Sequence, residues 1–227
     1  MSEEQNSLSP ARVVPVFPLS KVVLFPKVHL PLHIFEPRYR KMVKDAMANQ
    51  RLIGMAVLRG GWEKSYSGNP DIYPVGCVGE IVSVTPLPDG RYNIVLYGVR
   101  EYEIQEHILD QTPYRQAKVL FREEPKASEQ VFPVSMKREI LDLVPQIIEE
   151  ESDLVKILRD PSLNEETWLN LCCFSLDVSI LEKQSLLEAK SLEERATYLL
   201  NVLHFKVVEK GTAFEGFRES KDRKPHH

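Results

Sequence analysis

Within residues 31–43, Pro-Leu-His-Ile-Phe-Glu-Pro-Arg-Tyr-Arg-Lys-Met-Val, an extended apolar run turns abruptly into an amphipathic helix, and few folds accommodate both halves. Pro31 disfavours helix at the residue before it, and Leu32, Ile34 and Phe35 read as the buried end of a strand. Glu36 and Pro37 then suit a helix start: proline has no N–H to lose in the first turn, and a carboxylate there favours the positive end of the helix dipole. Tyr39, Met42, Val43, Ala46 and Met47 recur at helical spacing, which leaves Arg38, Arg40, Lys41 and Lys44 mainly on the outer face. The pattern predicts a strand feeding a helix laid across it.

Upstream, Val13–Phe17 and Val22–Phe25 are short β-branched and aromatic runs broken by Pro15, Pro18 and Pro26. Proline cannot donate to a β-ladder, so these read as edge or bulged strands rather than central ones. Sixteen prolines against ten glycines, many of the prolines in the first 90 residues, favour short strands and stiff turns in that part of the chain. Leu52–Leu58 reads as a continuous apolar strand ending at Gly60 and Gly61. Trp62 to Tyr73 reads as a long polar loop carrying Trp62, Tyr66 and Tyr73, whose rings either fold back over apolar surface or form a contact surface.

Cys77–Leu87 and Arg91–Glu103 flank Pro88-Asp89-Gly90, and Asp-Gly between apolar strands is a strong hairpin signal. Both faces of this hairpin are apolar, as expected for the spine of a closed or nearly closed barrel with its outer side covered by helices. Glu101, Glu103 and Glu106 read as a solvated edge, and Tyr114–Phe121 supplies a last strand. After Arg122 the period changes. Met136, Ile140, Val144, Ile147 and Ile148 recur helically, with Pro145 as a kink or a start. Ser162–Glu165, Ser179–Glu182 and Ser191–Glu194 have capping-box spacing, and Leu192, Ala196, Leu199, Leu200, Leu203 and Val207 form one stripe. Strands followed by helices give an α+β chain. Its expected parts are a disordered leader at 1–12, a barrel at 13–123, a linker at 124–135, a helical bundle at 136–208 and a disordered tail at 209–227.

Three segments in this order, residues 31–43, the Gly76–Ile81 run and the Leu87–Arg100 run, resemble the amino-terminal substrate-binding domain of the Lon proteases. Glu182–Glu188 joined to Leu192–Ala196 resembles the closing helical part of the same domain, so the resemblance covers residues 13 to 208. It implies a PUA-like β pseudo-barrel followed by a helical bundle. In full-length Lon this unit precedes an ATPase and a Ser-Lys peptidase; neither follows in this sequence, so a stand-alone domain is expected.

The residues give no sign of catalysis. A phosphate-binding G-x-x-x-x-G-K-[ST] loop and a G-x-G-x-x-G turn are both missing, as are H-E-x-x-H and G-x-S-x-G. His29 and His33 stand four apart but flank Pro31 in an extended stretch, so they read as strand residues rather than a metal pair. Cys77, Cys172 and Cys173 have neither metal nor disulfide spacing and read as buried thiols. The expectation is a non-enzymatic protein without cofactor or metal. A net charge of −4 gives no general attraction for polyanions, and the cations at 38–44 are interleaved with Glu36 and Asp45. RNA binding through the barrel therefore stands as the alternative, on analogy of fold alone.

The acidic start, Met1-Ser-Glu-Glu-Gln-Asn, is unlike a signal peptide. The longest apolar run, Leu169–Leu181, is short for a membrane span and holds Asp177. A cytoplasmic protein with no membrane contact is expected. The resemblance implies binding of unfolded or peptide-like protein segments, with a separate ATP-dependent protease as a candidate partner. Phe35, Tyr39, Trp62, Tyr66 and Tyr73 are the expected contact residues, and Glu36 with Arg38 a structural ion pair.

Overall fold

The structure, a computed structural model, describes residues 11–65, 69–109, 111–123, 131–148 and 152–222, without the side chains of residues 64, 65 and 211–222. Six strands, β1 (Ala11–Leu19), β2 (His29–Ile34), β3 (Leu52–Val57), β4 (Val75–Pro86), β5 (Tyr92–Ile108) and β6 (Arg115–Phe121), form one sheet in the order β2-β5-β4-β3-β1-β6. A further β5–β6 pairing closes five of them into a barrel. The 17-residue β5 makes closure possible, because it changes neighbour along its length. Tyr92–Tyr97 pairs with β2, and Tyr102–Ile108 pairs with β6 on the barrel seam.

The prolines of β1 do not put it at an edge, as the sequence suggests. β1 lies between β6 and β3, parallel to β3, but only Val16 is paired on both sides. Pro15 faces Gln116 of β6 alone and Pro18 faces Ala56 of β3 alone, so each missing N–H falls where no second neighbour needs it. Val22–Phe25 is likewise not a strand. It is an irregular segment whose Val23, Leu24 and Phe25 are all buried. Lys27 reverses it with φ 63°, donating its N–H to Gly98 O at 2.8 Å. Gly98 is required there, since a Cβ would lie 2.0 Å from Phe25 O.

The Asp-Gly hairpin forms as expected. Leu87 N–H donates to Arg91 O at 2.8 Å, and Gly90 takes φ 80°. α1 (Pro37–Ala48) buries Tyr39, Met42, Val43 and Ala46 against the barrel. The helical part comprises α2 (Val134–Ile147), α3 (Asp153–Leu158), α4 (Glu165–Ser175), α5 (Ile180–Glu188) and α6 (Leu192–Asp222). Pro145 sits inside the last turns of α2. Lys210 on α6 donates to the Gln146 and Ile147 carbonyls, satisfying the end of α2. The Ser179–Glu182 capping box is complete. Ser162–Glu165 is not a box: α4 starts two residues later on Asn164, whose side chain accepts from Thr167 N–H at 2.8 Å. The elements depart from the expected parts at three points: Ala11 and Arg12 belong to β1, Val134 and Ser135 open α2, and α6 runs to Asp222.

Barrel and helices share a large core, and a second cluster, with Val14, Val16, Ala56, Val78, Tyr102 and Val119, belongs to the barrel alone. Phe25, Leu24, Cys77 and Ile81 from the sheet side are continuous with Trp168, Leu169, Cys172, Leu187 and Ala196. At the junction Arg195 is 3% exposed. Its guanidinium donates to Leu186 O at 2.9 Å, to Asn170 Oδ1 and to Glu101 Oε1, while Asn170 Nδ2 donates to Pro26 O at 3.0 Å. Burial works against the charged guanidinium, but the groups around it, Glu101 first among them, together hold Arg195 above its ordinary range. Glu101 is therefore an interior anchor, not part of a solvated edge.

Arg195→Ala strands Glu101 and Asn170 without their partner and should cost about 3–5 kcal/mol. Thermal denaturation should show a fall in Tm of roughly 10 °C or more; a Tm within a degree or two of wild type would show the junction to be dispensable. Gly98→Ala should lose about 2 kcal/mol or more by forcing Phe25 off β5. Gly60→Ala, with nothing within 4 Å of the new Cβ, should unfold like wild type in the same urea titration.

Candidate functional site

The end of β1, the β2–α1 junction and the residues following β3 converge on one apolar groove of about 390 Å³. Phe17 and Leu19 come from β1, Leu32, Ile34 and Phe35 from the β2 end, Tyr39 from α1, and Leu58 and Trp62 from beyond β3; Ser20, His33 and Glu36 supply its polar groups. Phe35 projects at the rim, 61% exposed, with its ring stacked on His33 at 6.2 Å. Tyr39 is 5% exposed and serves more as wall than as contact, its ring 4.3 Å from that of Phe17 and under the Arg38 guanidinium at 4.6 Å. Trp62 stands in a single 3-10 turn, Trp62–Ser65, and packs on the second core cluster of the barrel.

Of the five expected contact residues, three line this groove together. Tyr73 lies elsewhere. Its N–H donates to Val57 O at 2.9 Å and its ring carries the Arg59 guanidinium at 5.2 Å. Tyr66 lies outside the described residues. Glu36 Oε2 and Arg38 Nε are 2.9 Å apart at the start of α1, with both side chains about a quarter exposed. Phe17, Leu19, Leu32 and Leu58 are groove residues the sequence reading missed; nothing in their local pattern separates them from core, because the groove exists only once three distant segments meet.

Three of the four cations on α1 are engaged by oxygen acceptors, Lys44 being the exception. Arg38 pairs with Glu36, Lys41 with Asp45 at 2.6 Å, and Arg40 donates to Asp89 O at 3.3 Å. A second cleft, about 240 Å³ and polar, lies between the end of α1 and strands β1 and β6 and includes Arg12, Gln50 and Tyr114. A third concavity, about 360 Å³, lies on the outer face of β2, β5 and β4. The three thiols are buried, and burial pushes them up, Cys173 to about 12, so none is a ready nucleophile. Among the described residues no three His, Cys, Asp or Glu side chains cluster as metal ligands, and no helix is long and apolar enough to cross a membrane.

The sequence model of the ATP-dependent protease La (LON) substrate-binding domain matches residues 13–204. The chain belongs to the Lon substrate-binding domain family. Within this family it is 29% identical over 202 residues to Lon protease 2 of Myxococcus xanthus, covering 86% of this chain and 24% of that protein. It is 30% identical over 198 residues to the Lon protease of Dictyoglomus thermophilum, covering 83% and 24%. The Lon-like chain thus spans about a quarter of the length of these curated relatives. In fold it is similar to the Lon N-terminal domain protein of Xanthomonas campestris, with TM-score 0.63, 19% identity and coverage of 84% of this chain and 98% of that one. It is also similar to the N-terminal domain of the Mycobacterium avium complex Lon protease, with TM-score 0.60, 18% identity and coverage of 87% and 98%. The groove is thereby placed on a Lon-type barrel, between its β1 end and α1.

The second cleft yields a titration test. Tyr114 donates its hydroxyl to Asp45 Oδ2 at 2.8 Å, and burial first, then the Asp45 carboxylate, pushes its ionisation up to about 12. Absorbance of tyrosinate against pH should show this late phase, and Asp45→Asn should move it to lower pH, since the anion opposing a second negative charge is gone. An unmoved phase would place Asp45 away from Tyr114.

Proposed function

We propose that this Lon-family domain binds extended, apolar segments of other proteins in the groove between β1, β2 and α1, without chemistry of its own, and presents them to a separate ATP-dependent protease. The observation that carries the reading is the groove itself: about 390 Å³, walled mostly by apolar side chains, with Phe35 left 61% exposed at its rim. A large apolar side chain leaving water for such a wall gains about 1.5–3 kcal/mol. Concave sites lined mostly by apolar side chains with a few polar groups are where proteins take up ligands.

Side chains rather than backbone pairing carry the contact. β2 pairs with β5 on one side, and Pro31 must turn its missing N–H away from that partner. The outer edge of β2 is therefore interrupted in its middle, which disfavours addition of a continuous extra strand. Engagement of Arg38, Lys41 and Arg40 by Glu36, Asp45 and Asp89 O leaves Lys44 alone of the α1 cations without an oxygen acceptor, which argues against the alternative reading, RNA binding, because phosphate contacts need several basic side chains that exchange counterions for phosphates.

Binding of a permanently unfolded, reduced and alkylated protein, followed by calorimetry, should saturate and should change little between low and high salt. Phe35→Ser should weaken it about fivefold or more while leaving Tm unchanged, since the side chain is mostly in water. Binding no tighter than to an unrelated acidic protein, or binding abolished by salt and restored with RNA as ligand, would overturn the reading.

A further inference from the structure

The groove does not end at β2. Leu32 and His33 line both the groove and the concavity of about 360 Å³ on the outer face of β2, β5 and β4. We infer that this sheet face is a second, polar subsite for the same extended segment, taking an amide or hydroxyl side chain a few residues away from the apolar anchor. The inference rests on the groove being a peptide site, as proposed above.

Strand register builds the subsite. Thr85, Asn93 and His33 form one cross-strand row, and Ser83, Val95 and Pro31 form the next. Ser83, Thr85, Asn93 and His33 are all exposed, and none of the lining residues is an acid, a lysine or an arginine. His33 divides the two concavities, and its ring is held on three sides. Nδ1 lies 2.7 Å from Asn93 Oδ1, Nε2 lies 3.2 Å from Arg91 Nη1, and the ring face stacks on Phe35. Arginine can only donate, so Nε2 accepts, the ring proton sits on Nδ1, and Asn93 Oδ1 receives it. The Asn93 amide N–H groups then remain for a ligand, beside two hydroxyls that both donate and accept.

That set of groups selects by chemistry. A lysine or arginine side chain would find no opposite charge among the lining residues, and the one cation beside them, Arg91, already pairs with Asp89 at 2.6 Å. An apolar one would cover the Asn93 amide and the hydroxyls without replacing their water contacts. Glutamine, asparagine, serine or threonine satisfies them. Crossing one strand and its flanking side chains takes about 10 Å, roughly three residues of extended chain.

Fluorescence anisotropy with labelled eleven-residue peptides in a Gly/Ser-poor alanine background tests this. One series carries a single Phe with Gln three residues before or after it, a second replaces Gln by Ala, a third by Leu, and a fourth replaces Phe by Ser. One of the two Gln placements should bind about threefold to tenfold tighter than its Ala and Leu counterparts. Ser83→Ala with Thr85→Val, at exposed positions that leave the fold alone, should remove that preference while keeping the dependence on Phe. Equal binding of the Gln and Ala peptides with the Phe dependence intact would overturn the polar subsite alone, as would a preference surviving in the double variant. Loss of the Phe dependence itself would overturn the groove reading and this inference with it.

Discussion

The Arg195 guanidinium is the point at which the structure is tied together. It reaches β5 through Glu101, α4 through Asn170 and α5 through Leu186 O, and lies 5.7 Å from the Phe25 ring. A lone buried cation would be costly; here a carboxylate and two oxygen acceptors surround it, and removal of any partner leaves the others stranded. Asn170 extends the network to Pro26 O, in the irregular segment that also closes on Gly98. Arg122 adds a parallel tie, donating to the Leu187, Glu188 and Ala189 carbonyls at the end of α5. Barrel and helices are consequently one cooperative body, and the chain on either side of Val22–Phe25 is held in place by contacts remote from the groove.

Those contacts shape the groove. Phe17, Leu19 and Ser20 enter its wall just before the chain dives under Gly98, and Leu32 to Phe35 enter it just after. β5 serves both, because β2 occupies along its first half the side that β6 holds along its second. β2 is thus an added strand beside a closed ring, and its end hands directly into α1. An apolar wall results that the barrel core cannot absorb: its residues belong to a strand end, a helix start and a 3-10 turn, and these diverge from one another.

Where the governing contact is local, the sequence was legible. The α1 face, the Asp-Gly hairpin, the Ser179 capping box and the α6 stripe depend on neighbours within a few residues, and each formed where the pattern placed it. Where a distant partner decides, local pattern misled. Glu101 looked like one of three solvated acids until Arg195, 94 residues away, claimed it. Pro15 and Pro18 looked like edge markers because the change of partner at Val16 cannot be read from β1 alone. In the groove, Trp62 stood out as a ring in a polar loop, whereas Leu32 and Leu58 read as ordinary strand residues; Phe35 read as the buried end of a strand, but β2 stops at Ile34 and leaves Phe35 61% exposed.

A groove of this size admits one or two side chains, which sets the character of the proposed binding. One buried aromatic or aliphatic anchor contributes about 1.5–3 kcal/mol, and association without strong electrostatic steering proceeds at ordinary rates. Individual contacts are therefore weak and short-lived, and selectivity has to come from somewhere other than tight complementarity. Folded proteins keep their large apolar side chains buried and their strands paired, so an extended segment with a free aromatic ring exists mainly on chains that have lost their fold. On the proposed reading, discrimination between folded and unfolded clients follows from which side chains are available to enter, while the rigid Arg195-tied scaffold holds the groove open without a rearrangement of its own.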